Sequence, residues 1–226
     1  MRNKSNAFIF DLNGTMIDDM AFHTRAWHQI LTKDLGAEMT MEEVKLHMYG
    51  KNSEVLARIF GEDRFTVEEA DKLSIEKERR YQKEYFAHLR LINGLDDFLE
   101  KAWQQNVQMA IGSAAIMFNI DFVLDNIDIR HYFKAIVSAD DVTKSKPDPE
   151  TFLKGARILG RDPAECIVFE DAPKGVEAAK NAGMKCVVLT TMHKKEEFSQ
   201  YNNIIGYIKD YHDPFVAELL PVKIMR

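Results

Sequence analysis

The sequence predicts an α/β fold: a doubly wound parallel sheet, a Rossmann-like core, into which a small all-α cap domain is inserted. Three observations carry this. An unalternating apolar run, Ala7-Phe8-Ile9-Phe10, ends on Asp11 and a Gly14-Thr15 turn, as a strand buried on both faces does when it delivers a polar residue to its carboxyl end. From Asn93-Gly94 onward, helical segments alternate with short apolar runs, the rhythm of parallel strands joined by crossover helices. Between these two regions the spacing of apolar residues is helical throughout.

The elements follow in order. Residues 18–35 place Ala26, Trp27, Ile30 and Leu31 on one helical face and stop at Gly36. Thr40 with Glu43 is a capping box that opens a short helix ending near Gly50. Asn52 or Ser53 caps a third helix, which carries Val55, Leu56, Ile59 and Phe60 and closes at Gly61. Thr66 with Glu69 is a second capping box, and the long charged helix after it runs to about His88.

An amphipathic helix with Leu95, Phe98, Leu99, Ala102 and Trp103 then leads to a strand over 107–112. Helices over 116–126, 149–159 and 173–182 precede strands over 135–139, 166–169 and 186–189, respectively. Residues 204–208 add a last strand, and a terminal helix starts at about Pro214. An isolated strand cannot bury itself, so the first strand must join this sheet. The predicted division is a core of 1–17 with 93–226 and a cap of 18–92, with hinges near residues 17 and 92.

Composition narrows the function. The 226 residues are 46% hydrophobic and 29% charged, which suits a soluble globular chain with a proper core. The net charge is -6, with Lys and Arg scattered among acids, so there is no footprint for nucleic acid and a bound phosphate must be held locally by a metal or a few donors. Cys166 and Cys186 each lead an apolar run and read as free thiols of a reducing cytoplasm. Arg2 and Lys4 precede the first apolar run, but Asp11 interrupts it too early for a signal peptide, and no run approaches membrane length. A cytoplasmic monomer with a small-molecule partner, and no nucleic-acid or membrane partner, is expected.

Polar residues break the strand pattern at carboxyl ends, where ligands bind in open α/β sheets. They are Asp11 and Asn13, then Ser113, then Lys146 in Lys144-Ser145-Lys146-Pro147-Asp148-Pro149, then Glu170-Asp171. Each has an ordinary explanation taken singly: a helix cap for Ser113, a solvated charge for Lys146, acids at a helix start for Glu170-Asp171. All on one rim, they describe a site.

In order and spacing the set resembles the four motifs of the haloacid dehalogenase superfamily of phosphotransferases. The helical insertion after the first motif, with Asp18, His23 and Trp27, resembles the subgroup containing beta-phosphoglucomutase and small sugar-phosphate phosphatases. The resemblance implies that Asp11 is a nucleophile forming an aspartyl phosphate. It implies that Mg²⁺ is held by Asp11, the main-chain carbonyl of Asn13, Asp171 and Glu170, the last directly or through water. Ser113 would donate to a phosphoryl oxygen and Lys146 would neutralise charge, roles that general physical chemistry supports. Thr15, His23, Lys51 and Lys77 would meet the substrate, although Lys51, Lys77 and Arg58 each also read as solvated surface charges.

Position 13 departs from the family pattern, which has a second Asp that protonates the leaving oxygen and later activates water. Asn13 cannot exchange a proton in that way, yet its backbone carbonyl is unchanged. Three explanations stand: an engineered Asp→Asn trap, a natural enzyme with another donor such as His23 or water, and a natural binding protein without efficient turnover. At the loop Gly50-Lys51-Asn52-Ser53-Glu54, Ser53 falls where beta-phosphoglucomutase has a phosphate-gripping Arg, which weakens the mutase reading. A receiver-type signalling domain keeps its acid pair upstream of the phosphoacceptor and lacks a large insertion. A true dehalogenase needs no Mg²⁺, against which the Glu170-Asp171 pair argues.

Overall fold

The computed structural model describes residues 7–221; Arg2 and Lys4, weighed above as the start of a leader, lie outside them. The chain runs β1 (Ala7–Phe10), α1 (Met20–Gln29), α2 (Met41–His47), α3 (Asn52–Phe60), α4 (Val67–Tyr85), α5 (Leu95–Gln104), β2 (Met109–Gly112) and α6 (Met117–Ile127). It continues with β3 (Ala135–Val137), α7 (Glu150–Leu159), β4 (Cys166–Glu170), α8 (Pro173–Asn181), β5 (Lys185–Leu189), β6 (Ile204–Ile208) and α9 (Pro214–Glu218). Two compact units result: one is interrupted after Asp18 and resumes at Arg90, and the other is Asp19–Leu89.

The first unit is a parallel sheet in the order β3-β2-β1-β4-β5-β6. All four β1 side chains are buried, because the strand is covered on both faces. Ala7 and Ile9 pack with Phe152 and Ala156 of α7 and Val176 and Ala179 of α8. Phe8 and Phe10 point the other way, into an aromatic cluster with Phe98 of α5, Phe169 and Tyr211; Phe10 stacks on Phe169 at 4.6 Å. Burying each such side chain contributes about 1.5–3 kcal/mol. Cys166 and Cys186 are buried free thiols on β4 and β5.

Several element edges differ from the sequence reading. The chain over 107–108 closes α5, with Val107 N donating to Ala102 O at 3.0 Å, so β2 begins only at Met109. Trp103 is 53% exposed: the inward stripe of α5 is Leu95, Phe98, Leu99 and Ala102, and Trp103 lies at its margin, edge-on to Tyr132.

The second unit packs α1 to α4 around Trp27, Ile30, Leu31, Val44, Val55, Leu56 and Ala70. After Gln29 the chain makes a π turn over Ile30–Asp34 before Gly36. Both capping boxes form, at Thr40/Glu43 and Thr66/Glu69. α3 starts differently from expectation. Lys51 is its N-cap, with the Lys51 amide donating to Glu54 Oε2 at 3.0 Å, and Asn52 is released to a long-range contact. Among the described residues no helix is long and apolar enough to cross a membrane.

Candidate active site

The strand order reverses between β1 and β4, and the crevice at such a point, outside the carboxyl ends, is where open α/β sheets bind ligands. Register does the positioning. Phe10 pairs with Phe169, so Asp11 lies beside Glu170, and Phe10 pairs with Ile111, so Ser113 follows on the neighbouring strand. The Asp11 amide donates to Phe169 O at 2.9 Å, extending the ladder through the polar residue.

Lys146 joins the two carboxylates. Its Nζ is 2.6 Å from Asp11 Oδ1 and 2.8 Å from Glu170 Oε1, all three side chains being buried, and it sits 4.6 Å from the centre of the Phe152 ring. Burial opposes the ammonium charge, but the Asp11 and Glu170 carboxylates outweigh it and hold the Lys146 pKa above the ordinary lysine value. The loop that delivers Lys146 is anchored at both ends. Glu150 Oε2 accepts the amides of Thr143 and Lys144, and Asn181 Nδ2 donates to Pro147 O at 2.9 Å. Glu170 in turn uses Oε2 to accept the amides of Asp171 and Ala172, both at 2.7 Å.

Asp171 is fixed from the other side by Thr15, whose Oγ1 donates to Asp171 Oδ1 at 3.3 Å. Burial, reinforced by the Glu170 and Asp11 carboxylates, lifts the Asp171 pKa well above the usual carboxylate range, with Lys146 and the Thr15 hydroxyl offsetting part of the rise. Gly14 has φ of +76°, and a Cβ there would overlap the Asp171 carboxylate, so the turn requires glycine twice over. The same turn is closed by Gly14 N to Ile17 O at 2.8 Å and Met16 N to Leu12 O at 2.8 Å, and half-buried Asn13 bridges to Ile17. Tyr211, with its phenol pKa raised by burial and by Asp11 and Asp171, donates to Thr15 O at 3.1 Å. Ser113 Oγ accepts the Ala115 amide at 3.1 Å, which directs its own proton elsewhere.

A family description, haloacid dehalogenase-like hydrolase, matches residues 8–189. The chain belongs to the haloacid dehalogenase-like hydrolases. It is 33% identical to a beta-phosphoglucomutase of Bacillus subtilis over 186 residues, covering 80% of this chain and 81% of that one. It is 30% identical to a fructose-1-phosphate phosphatase of Escherichia coli over 187 residues, covering 83% and 97%. A solved beta-phosphoglucomutase from Clostridium difficile superposes with a TM-score of 0.80 at 25% identity, covering 95% and 96%. This kinship makes the chain an enzyme of the phosphohydrolase or phosphomutase kind.

The rim of this haloacid dehalogenase-like hydrolase offers oxygen donors of the kind that hard divalent cations such as Mg²⁺ take. The Lys146 ammonium bridges two of three buried acidic side chains, Asp11 and Glu170, while the third, Asp171, is held by Thr15 with its pKa raised by burial and by its acidic neighbours; the available donors are hard oxygens. Among the described residues no three His, Cys, Asp or Glu side chains form a metal cage by themselves. Mg²⁺ does not need one, since it binds through one or two carboxylates and completes its shell with water and substrate phosphate.

The hydrolase's helical unit carries a second polar cluster, wholly its own. Asp19 Oδ2 receives the Tyr81 hydroxyl at 2.6 Å and lies 3.1 Å from His23 Nε2, while Lys77 Nζ lies 2.7 Å from His23 Nδ1. Lys77 also donates to Glu78 Oε1 at 2.9 Å, which accepts from Asn52 Nδ2 at 3.0 Å as well. His23 stacks on Tyr81 at 3.8 Å. Lys77 is therefore not a solvated surface charge: it is 3% exposed. A lysine ammonium can only donate, so Nδ1 accepts and Nε2 carries the proton given to Asp19. Both ring nitrogens of His23 are thus engaged within its own unit. Arg58 lies over the Tyr49 ring at 3.6 Å and donates to the Tyr49 carbonyl.

Asp19, Glu78, Tyr81, Tyr211 and Glu150 were not singled out by sequence reasoning, and Asn52 was read only as a helix cap. One signal was available for the cluster: Ser74, Lys77, Glu78, Tyr81 and Tyr85 recur at helical spacing and are all buried. They form an inward stripe made largely of polar groups, which a search for apolar faces passes over.

Proposed function

We propose that the chain is a magnesium-dependent phosphoryl-transfer enzyme, a phosphatase or phosphomutase of a small sugar phosphate. The observation that carries the reading is the buried Lys146 ammonium joining Asp11 to Glu170 at the point where the strand order reverses. Asp11 attacks phosphorus, forming an aspartyl phosphate while the bond to the sugar oxygen breaks and that oxygen takes a proton from water; a second water then attacks phosphorus, giving up a proton, and releases phosphate and the free carboxylate. Lys146 balances the charge shared by Asp11 and the phosphoryl group, and Ser113 donates to a phosphoryl oxygen. Asp11, the Asn13 carbonyl and Asp171 would hold Mg²⁺, which would supply Lewis-acid shielding of the phosphoryl charge. Glu170, expected as a further ligand, has both oxygens engaged by Lys146 and two amides and is assigned to holding that set in place.

Thr15, His23, Lys51 and Lys77 are assigned to substrate recognition on the family resemblance, and a cytoplasmic monomer is the proposed setting. Asn13 favours a second reading, a protein that binds a phosphorylated metabolite without efficient turnover. A positioned acid-base group contributes about 10²–10⁴ in rate, so a slow enzyme is the first reading and a binder the second.

Phosphate release with Mg²⁺ is the test, measured on fructose 1-phosphate, glucose phosphates, acetyl phosphate and pyrophosphate. Asp11→Asn should abolish it and Asn13→Asp should raise it. Turnover by Asn13→Asp alone supports the binding reading, and none from either chain overturns the enzyme reading. Mg²⁺ should also raise the unfolding free energy read from urea denaturation by about 2.7 kcal/mol at a hundredfold excess over Kd.

A further inference from the structure

Residue 13 is followed by glycine, and the fold obliges that glycine: Gly14 holds a left-handed φ of +76°, and a Cβ there would overlap the Asp171 carboxylate. The requirement leaves an Asn-Gly pair at the rim, with Asn13 half-buried, Gly14 buried and no side chain on residue 14 to hinder approach of its amide nitrogen to the residue 13 carboxamide. Asparagine followed by glycine is the pairing in which the next amide nitrogen most readily reaches the side-chain carbonyl carbon.

We propose that Asn13-Gly14 is a self-modification site, at which deamidation installs an aspartate where the family carries its acid-base group. Gly14 N bonds to Asn13 Cγ, the Cγ–N bond of the carboxamide breaks and ammonia leaves, giving a cyclic imide. Water then opens the bond between Cγ and Gly14 N, restoring the peptide and leaving a carboxyl at residue 13. Water is the only co-reactant, and no oxidation or reduction occurs. Opening at the main-chain carbonyl would give isoaspartate instead. That product lengthens the backbone by one atom within a turn whose hydrogen bonds close tightly, Gly14 N to Ile17 O and Met16 N to Leu12 O. The aspartate product keeps those bonds.

The Gly14 N–H must leave Ile17 O before it can attack, so conversion proceeds through local opening of the turn and is slow in the folded chain. The newly made protein is then a low-activity form that gains turnover with age. The gain in turnover rests on the function proposed above; the chemical conversion does not.

The chain contains a built-in comparison, the Asn93-Gly94 pair, whose Asn93 is exposed. Purified protein would be held in mildly alkaline buffer at physiological temperature, sampled over days, digested under acidic conditions and sequenced by fragmentation mass spectrometry. Fragment ions separate residue 13 from Asn6 on the same peptide. The expected result is amide-to-acid conversion at residue 13, slower than at residue 93, with phosphate release rising in step with the aspartate fraction at 13. Asn13→Gln should show neither change at that position.

Residue 13 remaining asparagine while residue 93 converts would overturn the proposal, as would conversion to isoaspartate alone with no gain in rate. The Asn13→Asp protein separates the two readings: if it turns over no faster than the parent, the proposed function has failed, whereas the mass record still decides the modification.

Discussion

Glu170 occupies the space that a side chain at residue 175 would need. A Cβ built on Gly175, in the first turn of α8, overlaps the Glu170 carboxylate that holds Lys146 and receives the amides of Asp171 and Ala172. Gly→Ala within a helix ordinarily stabilises by roughly 0.5–1 kcal/mol. At this position the sign should reverse. Gly175→Ala is expected to lower stability by about 1–3 kcal/mol through overpacking and to lower phosphate release as Glu170 is displaced. Urea unfolding and initial rates check it, and a stabilised, fully active variant would contradict the packing argument.

Removing the buried ammonium should strand two carboxylates. Lys146→Met is expected to cost about 3–5 kcal/mol of stability, the scale for breaking a buried ion pair from one side. Adding Glu170→Gln should return part of that loss, with a coupling of about 0.5–3 kcal/mol. The cycle is measured by urea denaturation in metal-free buffer. Simple additivity would show that Lys146 and Glu170 do not interact.

Acid should weaken the helical unit through Glu78. Burial opposes ionisation of this carboxyl, but Lys77, His23 and Asn52 outweigh it and hold its pKa below the ordinary glutamate value. A depressed folded-state pKa contributes stability that is fully present above the unfolded value, about 4.5, and is lost as pH falls through the folded value. Glu78→Gln should therefore be less stable than the parent at neutral pH and should show a shallower loss of stability below about pH 4.5. Urea midpoints across that range decide the matter; parallel profiles for the two proteins would remove Glu78 from the acid limb.

Leaving groups that need no proton should suffer least from Asn13. Relative to Asn13→Asp, the parent chain is expected to lose about 10²–10⁴ in kcat/KM on sugar phosphates and much less on acetyl phosphate or pyrophosphate. The ratio of the two losses is the measured quantity. Equal losses on both classes would mean that residue 13 does not serve the leaving group.

Much of this architecture was legible before any coordinates. Thr40/Glu43 and Thr66/Glu69 were readable as capping boxes because both halves of each hydrogen-bond exchange lie within one turn. Asp11, Ser113, Lys146 and the Glu170-Asp171 pair were readable because each interrupts or follows an apolar run at a strand's carboxyl end. Asn52 was misread as a cap because its better partner, Glu78, lies on another helix. Trp103 was assigned to the buried face although its position on α5 drifts off the stripe. Lys77 resembled a surface charge until α4 packed and enclosed it with His23 and Glu78.

The sequence by itself determined the order of strands and helices, the insertion after the first strand, and the four polar positions of the rim. These are local properties, written in periodicity and in neighbours a few residues apart. Only the tertiary structure decided which charges face one another: that Lys146 bridges Asp11 and Glu170, that Gly175 makes room for it, and that Asp19, His23, Lys77, Glu78 and Tyr81 close into one buried network. Those pairings join residues far apart in the chain. Their partners are chosen by strand register and helix packing, and no local pattern records that choice.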